Sequence, residues 1–249
     1  MVTAERNIQH HQGKENMKYL LVFCIFVCTS LNATTQELVL KTPQGKLQGQ
    51  LSEKSSAVRV FKGIPYGVPP TGSRRWKHAE PAPAWNGVRR ADSFGPDCMQ
   101  YSTMWEESEP EKNFFYHPTG MSSEDCLYLN VWTQVLTDKV KKSLPVMVWI
   151  HPGASIQGSG SWPLYDGTAL ASKGIVLITI NYRLGIFGNF SHPQLSAESA
   201  HKTSGNYGLT DQMLALRWVQ NNISAFGGDA SNVTVFGESA GASNLSKLM

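Results

Sequence analysis

The sequence has little charge and little cysteine, and it has no apolar run long enough to cross a membrane comfortably. Lys and Arg total 22 and Asp and Glu total 19 in 249 residues, so the formal net charge is only +3. Nucleic-acid-binding domains carry a concentrated basic face, and the charge pattern here indicates none. Hydrophobic residues make up 41% of the chain, which excludes a disordered tail, a coiled coil and a collagen-like rod.

The longest apolar run lies near the N-terminus, at residues 20–31. A membrane-spanning helix needs about 20 apolar residues, whereas a run of this length after Lys18, with small and polar residues behind it, is typical of a secretory signal peptide. We expect cleavage after Ala33, which makes residues 1–33 a leader with its core at 17–33 and places residues 34–249 outside the cell. A start at Met17 would remove the polar stretch before this core. The alternative is a buried strand or helix.

Two of the four cysteines, Cys24 and Cys28, lie in this leader, so the mature chain retains Cys98 and Cys126. Two cysteines in a secreted protein are expected to pair. Closing the loop between them would stabilise the fold by roughly 3–4 kcal/mol on the chain-entropy estimate. A metal-binding pair is the alternative, although no Cys-x-x-Cys and no neighbouring His supports it.

The sequence also lacks metal-binding and nucleotide-binding patterns. The lone G-x-G at residues 158–160 does not make a nucleotide site, and we predict neither a metal nor a cofactor. N-glycosylation sequons begin at Asn189, Asn222, Asn232 and Asn244. We expect one or two of them to carry glycans, with Asn222 as the first candidate.

Two hydrophobic patterns divide the chain. Short alternating runs at 37–42, 46–51 and 58–64 predict a small antiparallel ribbon with one solvated face. Continuous or near-continuous apolar runs are typical of strands buried on both faces in a mainly parallel sheet, and they occur at 127–132, 145–150, 175–180 and 232–236. A helix with an apolar stripe precedes the last run, formed by Ala215, Leu216, Val219 and Ile223. This order of elements predicts an α/β fold.

The strongest chemical signal is G-E-S-A-G at residues 237–241, directly after the last predicted strand. A G-x-S-x-G segment between a strand and a helix makes a tight turn that exposes the serine hydroxyl above the edge of the sheet. Ser239 is therefore the candidate nucleophile. The alternative is a glycine-rich turn with a passive serine.

A serine nucleophile also needs hydrogen-bond donors for the oxyanion of its tetrahedral intermediate. The N–H of Ala240, the residue after the serine, is one candidate. The others are Gly153 and Ala154, because H-P-G-A at 151–154 follows a predicted strand as the H-G-G-G loop does in esterases. Pro152 has no N–H, but the next two residues keep theirs.

Together with several longer motifs, these segments make the chain resemble the N-terminal half of a type-B carboxylesterase, a family that also includes cholinesterases and the non-catalytic neuroligins. The resemblance runs from about Glu37 to the last residue. Its two longest motifs are F-G-G-D-A-S-N-V-T-V-F-G-E-S-A-G at 226–241 and E-D-C-L-Y-L-N-V-W at 124–132. Shorter matches lie at 61–70, 181–188 and 205–212.

The resemblance implies an α/β-hydrolase fold, truncated after the nucleophile turn, in which Ser239 forms an acyl-enzyme with a small-molecule carboxylic ester. It implies that Glu238 is a packing neighbour of the nucleophile and not the acid of the catalytic triad. It also implies one disulfide and two salt bridges, namely Cys98 with Cys126, Arg75 with Glu124, and Arg183 with Asp211. It makes no prediction of the oligomeric state.

The triad is incomplete in the sequence given. In this fold the acid and the histidine follow the serine, yet the residues after Ser239 include no Asp, Glu or His. His151 is a weak substitute for the base, since it belongs to the predicted oxyanion loop. We expect the chain to be a fragment of a longer secreted esterase. The alternatives are an inert short product and a neuroligin-like adhesion protein, and the retained serine and oxyanion loop argue against the latter.

Cholinesterases hold a quaternary ammonium on an aromatic ring within the first disulfide loop. The corresponding loop here contains Tyr101, Trp105, Phe114, Phe115 and Tyr116. Trp105 lies too early for that position, and Phe115 or Tyr116 lies closer to it. Because aromatic residues in a loop more often serve packing, we do not expect choline specificity.

Overall fold

The computed structural model of the chain describes residues 38–100, 121–135 and 143–249. Leu40–Met249 form one compact unit; of a separate unit, Met1–Val39, only the last two residues are described. The predicted leader and the aromatic residues at 101–116 therefore lie outside the described residues. No described helix is long and apolar enough to cross a bilayer.

The described strands are, in chain order, β1 (Val39–Thr42), β2 (Gly45–Gln48), β3 (Gln50–Ser52), β4 (Ser55–Pro65), β5 (Val88–Arg90), β6 (Asp97–Cys98), β7 (Ser122–Ser123), β8 (Tyr128–Gln134), β9 (Leu144–Ile150), β10 (Val176–Ile180) and β11 (Gly228–Gly237). The described helices are α1 (Thr168–Ser172), α2 (Gly185–Asn189), α3 (Pro193–Glu198), α4 (Tyr207–Asn222) and α5 (Ala240–Leu248). Short 3-10 turns lie at Gly72–Arg74, Pro163–Tyr165 and Ile223–Phe226.

Six strands form the central sheet, in the order β11-β9-β10-β8-β4-β3. In the described part of this sheet β9 pairs in parallel with both β10 and β11, whereas β8 and β4 run antiparallel to their neighbours. The sheet is thus parallel at the end that carries the G-x-S-x-G segment. Ile150 pairs with Ile180 on one side and Gly237 on the other, so the segments that follow the three parallel strands emerge side by side.

Burial along these strands separates the centre of the sheet from its edge. Every residue of β10 is buried, as the continuous apolar run predicts. In β9 buried residues alternate with partly exposed ones, so the prediction of burial on both faces holds there for one face only. The prediction of burial on both faces is wrong for β11, in which Thr234 is exposed and Val233, Val235 and Phe236 are only partly buried. The reason is position, since β11 has β9 as its only strand partner among the described residues.

The predicted N-terminal ribbon divides between two sheets. β1 and β2 form a small sheet with β5, whereas β3 and β4 pair antiparallel and join the central sheet through β8. Val58, Val60, Phe61 and Ile64 on β4 are all buried. Two adjacent buried side chains point to opposite faces of a strand, so β4 has no solvated face at its centre.

Helix α4 packs the predicted apolar stripe against the sheet. Ala215, Val219 and Ile223 are fully buried, and Phe226 beyond them meets Phe61 of β4 edge to face at 5.1 Å between ring centroids. This packing fixes the chain where it turns into β11.

The same packing overturns the expectation of a glycan on Asn222. Asn222 is only 3% exposed, and its Nδ2 donates to the carbonyl oxygen of Trp218 at 2.8 Å. A glycan attached to that nitrogen would have no room, because the side chain is surrounded by protein. Asn244 is also buried, whereas Asn189 and Asn232 are exposed.

Candidate active site

Ser239 lies in the two-residue connection between β11 and α5 and is exposed. Its backbone has φ 50° and ψ −116°, the conformation of the first central residue in a type II′ turn, which glycine dominates. The N–H of Gly241 donates to the Glu238 carbonyl oxygen at 2.8 Å and closes that turn. A serine held in this region stores strain of about 1–3 kcal/mol, and such strain concentrates at functional sites.

The glycines on either side of this turn allow it to pack against the end of β9. A Cβ on Gly241 would overlap the carbonyl oxygen of Ile150 and come within 3.0 Å of the His151 carbonyl oxygen. A Cβ on Gly237 would lie 2.9 Å from the same Ile150 oxygen. The G-x-S-x-G spacing is thus required by contact between neighbouring strands as well as by the turn.

The predicted oxyanion loop follows β9 directly. Gly153 has φ 112° and Ala154 has φ 54°, and the N–H groups of Ile156 and Gln157 donate back to the Gly153 carbonyl oxygen at 2.9 and 3.1 Å. A Cβ on Gly153 would overlap the Gln157 carbonyl oxygen, so this tight turn requires glycine.

The three predicted donors lie on adjacent segments. Ala240 is the first residue of α5, where N–H groups have no acceptor within the helix and the helix dipole favours negative charge. Within the described part of the chain, no backbone hydrogen bond outside the helices and strands uses the N–H of Gly153 or Ala154. Because Gly237 pairs with Ile150, the serine turn and the donor loop leave neighbouring strands at the same edge.

His151 is fully buried beneath this loop. Its ring stacks on Tyr182 at 4.4 Å between centroids, and its Nδ1 donates to the Pro152 carbonyl oxygen at 2.7 Å. Burial lowers the pKa of His151 to about 4, so the imidazole is neutral at pH 7. A buried imidazole with so low a pKa is a poor general base, and its contacts with Tyr182 and Pro152 stabilise the loop.

A buried polar network fastens the far end of the loop, and the sequence interpretation missed it. The Asn181 Oδ1 accepts from the N–H of Gly160 at 2.8 Å, and Thr179 donates to the Gly160 carbonyl oxygen at 2.7 Å. Ser161 donates to Asp97 at 3.0 Å. A Cβ on Gly160 would lie 2.9 Å from the Ile180 carbonyl oxygen, so the G-x-G at 158–160 serves packing. The available signal was short polar residues at the end of a buried strand.

The disulfide is confirmed: Cys98 and Cys126 are bonded, with 4.9 Å between their Cα atoms. On the surface beside it, Arg75 Nε donates to Glu124 Oε2 at 2.6 Å. The Arg75 hydrogen bond and charge hold the pKa of Glu124 below its ordinary value. The structure thus brings together both members of this predicted pair.

The second predicted pair, Arg183 with Asp211, is buried, with side-chain exposures of 3% and 0%. Arg183 donates from Nη2 and Nε to the two carboxylate oxygens at 2.7 and 2.8 Å, and its backbone N–H donates to the same carboxylate at 3.0 Å. This bidentate pair joins the segment after β10 to helix α4.

Glu238 is exposed beside the nucleophile turn. Burial of Tyr165, reinforced by the charge of Glu238, raises the pKa of that phenol. The described residues include no group of three or more side chains placed to hold a metal ion.

The carboxylesterase family model matches residues 36–249. The chain belongs to the carboxylesterase family. It is 46% identical over 213 residues to fumonisin B1 esterase of Sphingopyxis macrogoltabida, covering 86% of this chain and 37% of that protein. It is 46% identical over 212 residues to para-nitrobenzyl esterase of Bacillus subtilis, covering 85% and 40%. It is 41% identical over 230 residues to acetylcholinesterase of Danio rerio, covering 91% and 34%.

Solved structures of this family share the fold. A PNB esterase superposes with a TM-score of 0.73 at 43% identity, covering 85% of this chain and 40% of that one. A carboxylesterase of Geobacillus stearothermophilus superposes with a TM-score of 0.69 at 46% identity, covering 84% and 40%. The predicted α/β-hydrolase fold is therefore confirmed. The chain spans about two fifths of the length of these relatives.

Proposed function

We propose that the protein containing this chain is a secreted serine esterase that hydrolyses small-molecule carboxylic esters through an acyl-enzyme on Ser239. One observation carries the proposal: an exposed serine in a strained turn lies beside a loop with N–H groups available for an oxyanion. The names of the relatives, which are esterases and a cholinesterase, support the same class of substrate.

The proposed reaction has two steps, each passing through a tetrahedral oxyanion. The Ser239 hydroxyl oxygen attacks the ester carbonyl carbon while a base removes the hydroxyl proton, and the carbonyl π electrons move to the carbonyl oxygen. Collapse re-forms the carbonyl and breaks the bond to the alcohol oxygen, which takes the proton from the base. Water then attacks the acyl-enzyme in the same way, and the carboxylic acid leaves as the serine regains its proton.

The N–H groups of Gly153, Ala154 and Ala240 are the proposed donors to the oxyanion. Because the negative charge is greatest in the transition state, donors fixed around that position lower the barrier more than they tighten substrate binding. Removing one such donor in a serine hydrolase typically lowers kcat by about 100- to 1000-fold.

The base and its orienting acid are proposed to come from sequence beyond Met249. His151 does not fit the role, since its ring is buried and its pKa is about 4. An adhesion protein would need neither the strained serine nor backbone donors that the described residues leave without an acceptor, so hydrolysis is the better supported function.

Secretion remains part of this proposal. The disulfide between Cys98 and Cys126 supports it, because disulfides persist in oxidising compartments. N-terminal sequencing of the native protein is the direct test. We expect a mature terminus close to residue 34, and a terminus at Met1 or Met17 would contradict secretion by this route.

The test of the reaction is hydrolysis of para-nitrophenyl acetate by the protein with its native C-terminus. Ser239→Ala should abolish turnover above the buffer rate. Ser246→Ala changes an exposed serine on helix α5, which follows Ser239; it is the matched control and should keep full activity. The 249-residue chain alone should hydrolyse the ester no faster than its own Ser239→Ala variant. Undiminished turnover by Ser239→Ala in the longer protein would refute the proposed nucleophile.

A further inference from the structure

We propose that Gln100 is a positioning residue for the oxyanion loop, which it holds through both backbone polar groups of Gly158. The inference rests on the proposed esterase function and deepens it. The Gln100 Oε1 accepts from the Gly158 N–H at 2.8 Å, and Nε2 donates to the Gly158 carbonyl oxygen at 3.0 Å. A side-chain amide paired with the N–H and the C=O of one residue fixes that residue in position and in orientation.

Gly158 connects the Gln100 hydrogen bonds to the oxyanion loop. It is buried with φ 116°, and a Cβ there would overlap His151 Nδ1 and lie 2.6 Å from the Pro152 carbonyl oxygen. Gly158 therefore rests directly on the residues that lead into the donors. Its neighbour Gln157 donates to the Gly153 carbonyl oxygen at 3.1 Å, so a shift of Gly158 is transmitted to Gly153 within one short loop.

The other side of Gln100 is tied to a rigid part of the fold. Nε2 also donates to the carbonyl oxygen of Cys98 at 3.0 Å. Cys98 is buried, bonded to Cys126, and part of the short parallel pair β6–β7. Gln100 thus joins the disulfide to the oxyanion loop, while Asn181 fastens Gly160 independently.

Only an amide of this length can make all three hydrogen bonds. A glutamate keeps an acceptor for the Gly158 N–H but places negative charge against two carbonyl oxygens. A methionine has similar length, donates neither hydrogen bond and offers the Gly158 N–H only a weak sulfur acceptor. Both changes leave the serine and the donor residues in the chain, so an effect on turnover reports on the groups that Gln100 binds, namely Gly158 in the loop and the Cys98 carbonyl oxygen.

The expected effect falls on the transition state. Oxyanion donors act at about 2.7–3.1 Å from the developing charge, and a misplacement of about 1 Å can lower the rate by about 100-fold. Substrate binding depends little on these donors because the ground-state carbonyl carries little charge. Loss of the Gln100 bonds should therefore lower kcat and leave KM nearly unchanged.

The experiment compares Gln100→Glu and Gln100→Met in the protein with its native C-terminus. Gln220→Met, at an exposed position on α4, is the control for the loss of a glutamine. We expect kcat for para-nitrophenyl acetate to fall by about 10- to 100-fold, with KM within about twofold of wild type. Affinity for a boronic acid, which forms a tetrahedral adduct on the serine, should fall in parallel with kcat. An unchanged kcat in both variants, or a rise in KM without loss of boronate affinity, would overturn the proposal.

Hydrogen exchange separates this inference from the esterase proposal. In the 249-residue chain and in the longer protein, Gln100→Met should speed amide exchange at residues 156–158 and leave β10 unchanged. If the wild-type protein shows no Ser239-dependent hydrolysis, the proposed esterase function is refuted. The exchange measurement still tests whether Gln100 holds the loop in place. Unchanged exchange at residues 156–158 would show that Gln100 does not hold it.

Discussion

Replacing Ser239 with glycine should stabilise the fold relative to alanine at the same position. Ser239 has φ 50° and ψ −116°, where any residue with a Cβ is strained by about 1–3 kcal/mol. Alanine keeps the Cβ and loses the hydroxyl, whereas glycine loses both. Glycine also has more freedom in the unfolded chain, which costs about 0.5–1 kcal/mol. The midpoints of these two ranges leave a net advantage of about 1 kcal/mol for Ser239→Gly over Ser239→Ala.

Urea denaturation of both variants at pH 7, monitored by circular dichroism, measures this difference in the free energy of unfolding. We expect a higher midpoint for Ser239→Gly with the same denaturant slope, and no esterase activity in either variant. The pair of variants isolates the backbone, because neither carries the hydroxyl. A midpoint for Ser239→Gly equal to or below that of Ser239→Ala would refute the claim that the nucleophile turn is strained.

Three further predictions concern stability and are measured in the same assay. Gly241→Ala should lose about 1–3 kcal/mol by overpacking, because its Cβ would overlap the Ile150 carbonyl oxygen; a change below about 0.5 kcal/mol would count against the tight contact. The pKa of His151 is about 4 in the fold and about 6.5 in the unfolded chain. Below pH 6.5 the unfolded chain therefore binds a proton that the folded protein does not, and the free energy of unfolding falls by up to about 3 kcal/mol as the pH drops to 4. His151→Gln should flatten that pH dependence, and an unaltered slope would contradict the burial argument. Asp211→Asn should cost about 3–5 kcal/mol because it leaves a buried guanidinium unpaired, whereas Glu124→Gln on the surface should cost less than about 1 kcal/mol; equal effects would refute the distinction.

The serine turn could be predicted from the sequence because local signals agree there. G-E-S-A-G directly follows the apolar run at 232–236, and the small residues after Ser239 start a helix. The turn and its flanking glycines follow from that order of elements. The side-by-side exit of the donor loop does not, because it depends on the pairing of Ile150 with Gly237 between distant strands. The disulfide was predicted because Cys98 and Cys126 are the two cysteines that lie outside the predicted leader.

Features that depend on contacts distant in sequence were not predicted. Apolar runs do not tell a central strand from an edge strand, so β11 was expected to be buried as fully as β10. The sequon at Asn222 carries no sign that its side chain closes the end of α4. Gln100 was missed because its partner, Gly158, lies 58 residues away, and only the fold brings the two together.

The most direct test of the central claim is the site of covalent labelling by a fluorophosphonate, which reacts with activated serines. The protein with its native C-terminus should take up one label, and peptide mass spectrometry should place it on Ser239. Labelling should be lost in Ser239→Ala and kept in Ser246→Ala. A protein that hydrolyses esters while carrying its label on another serine, or none on Ser239, would contradict the account.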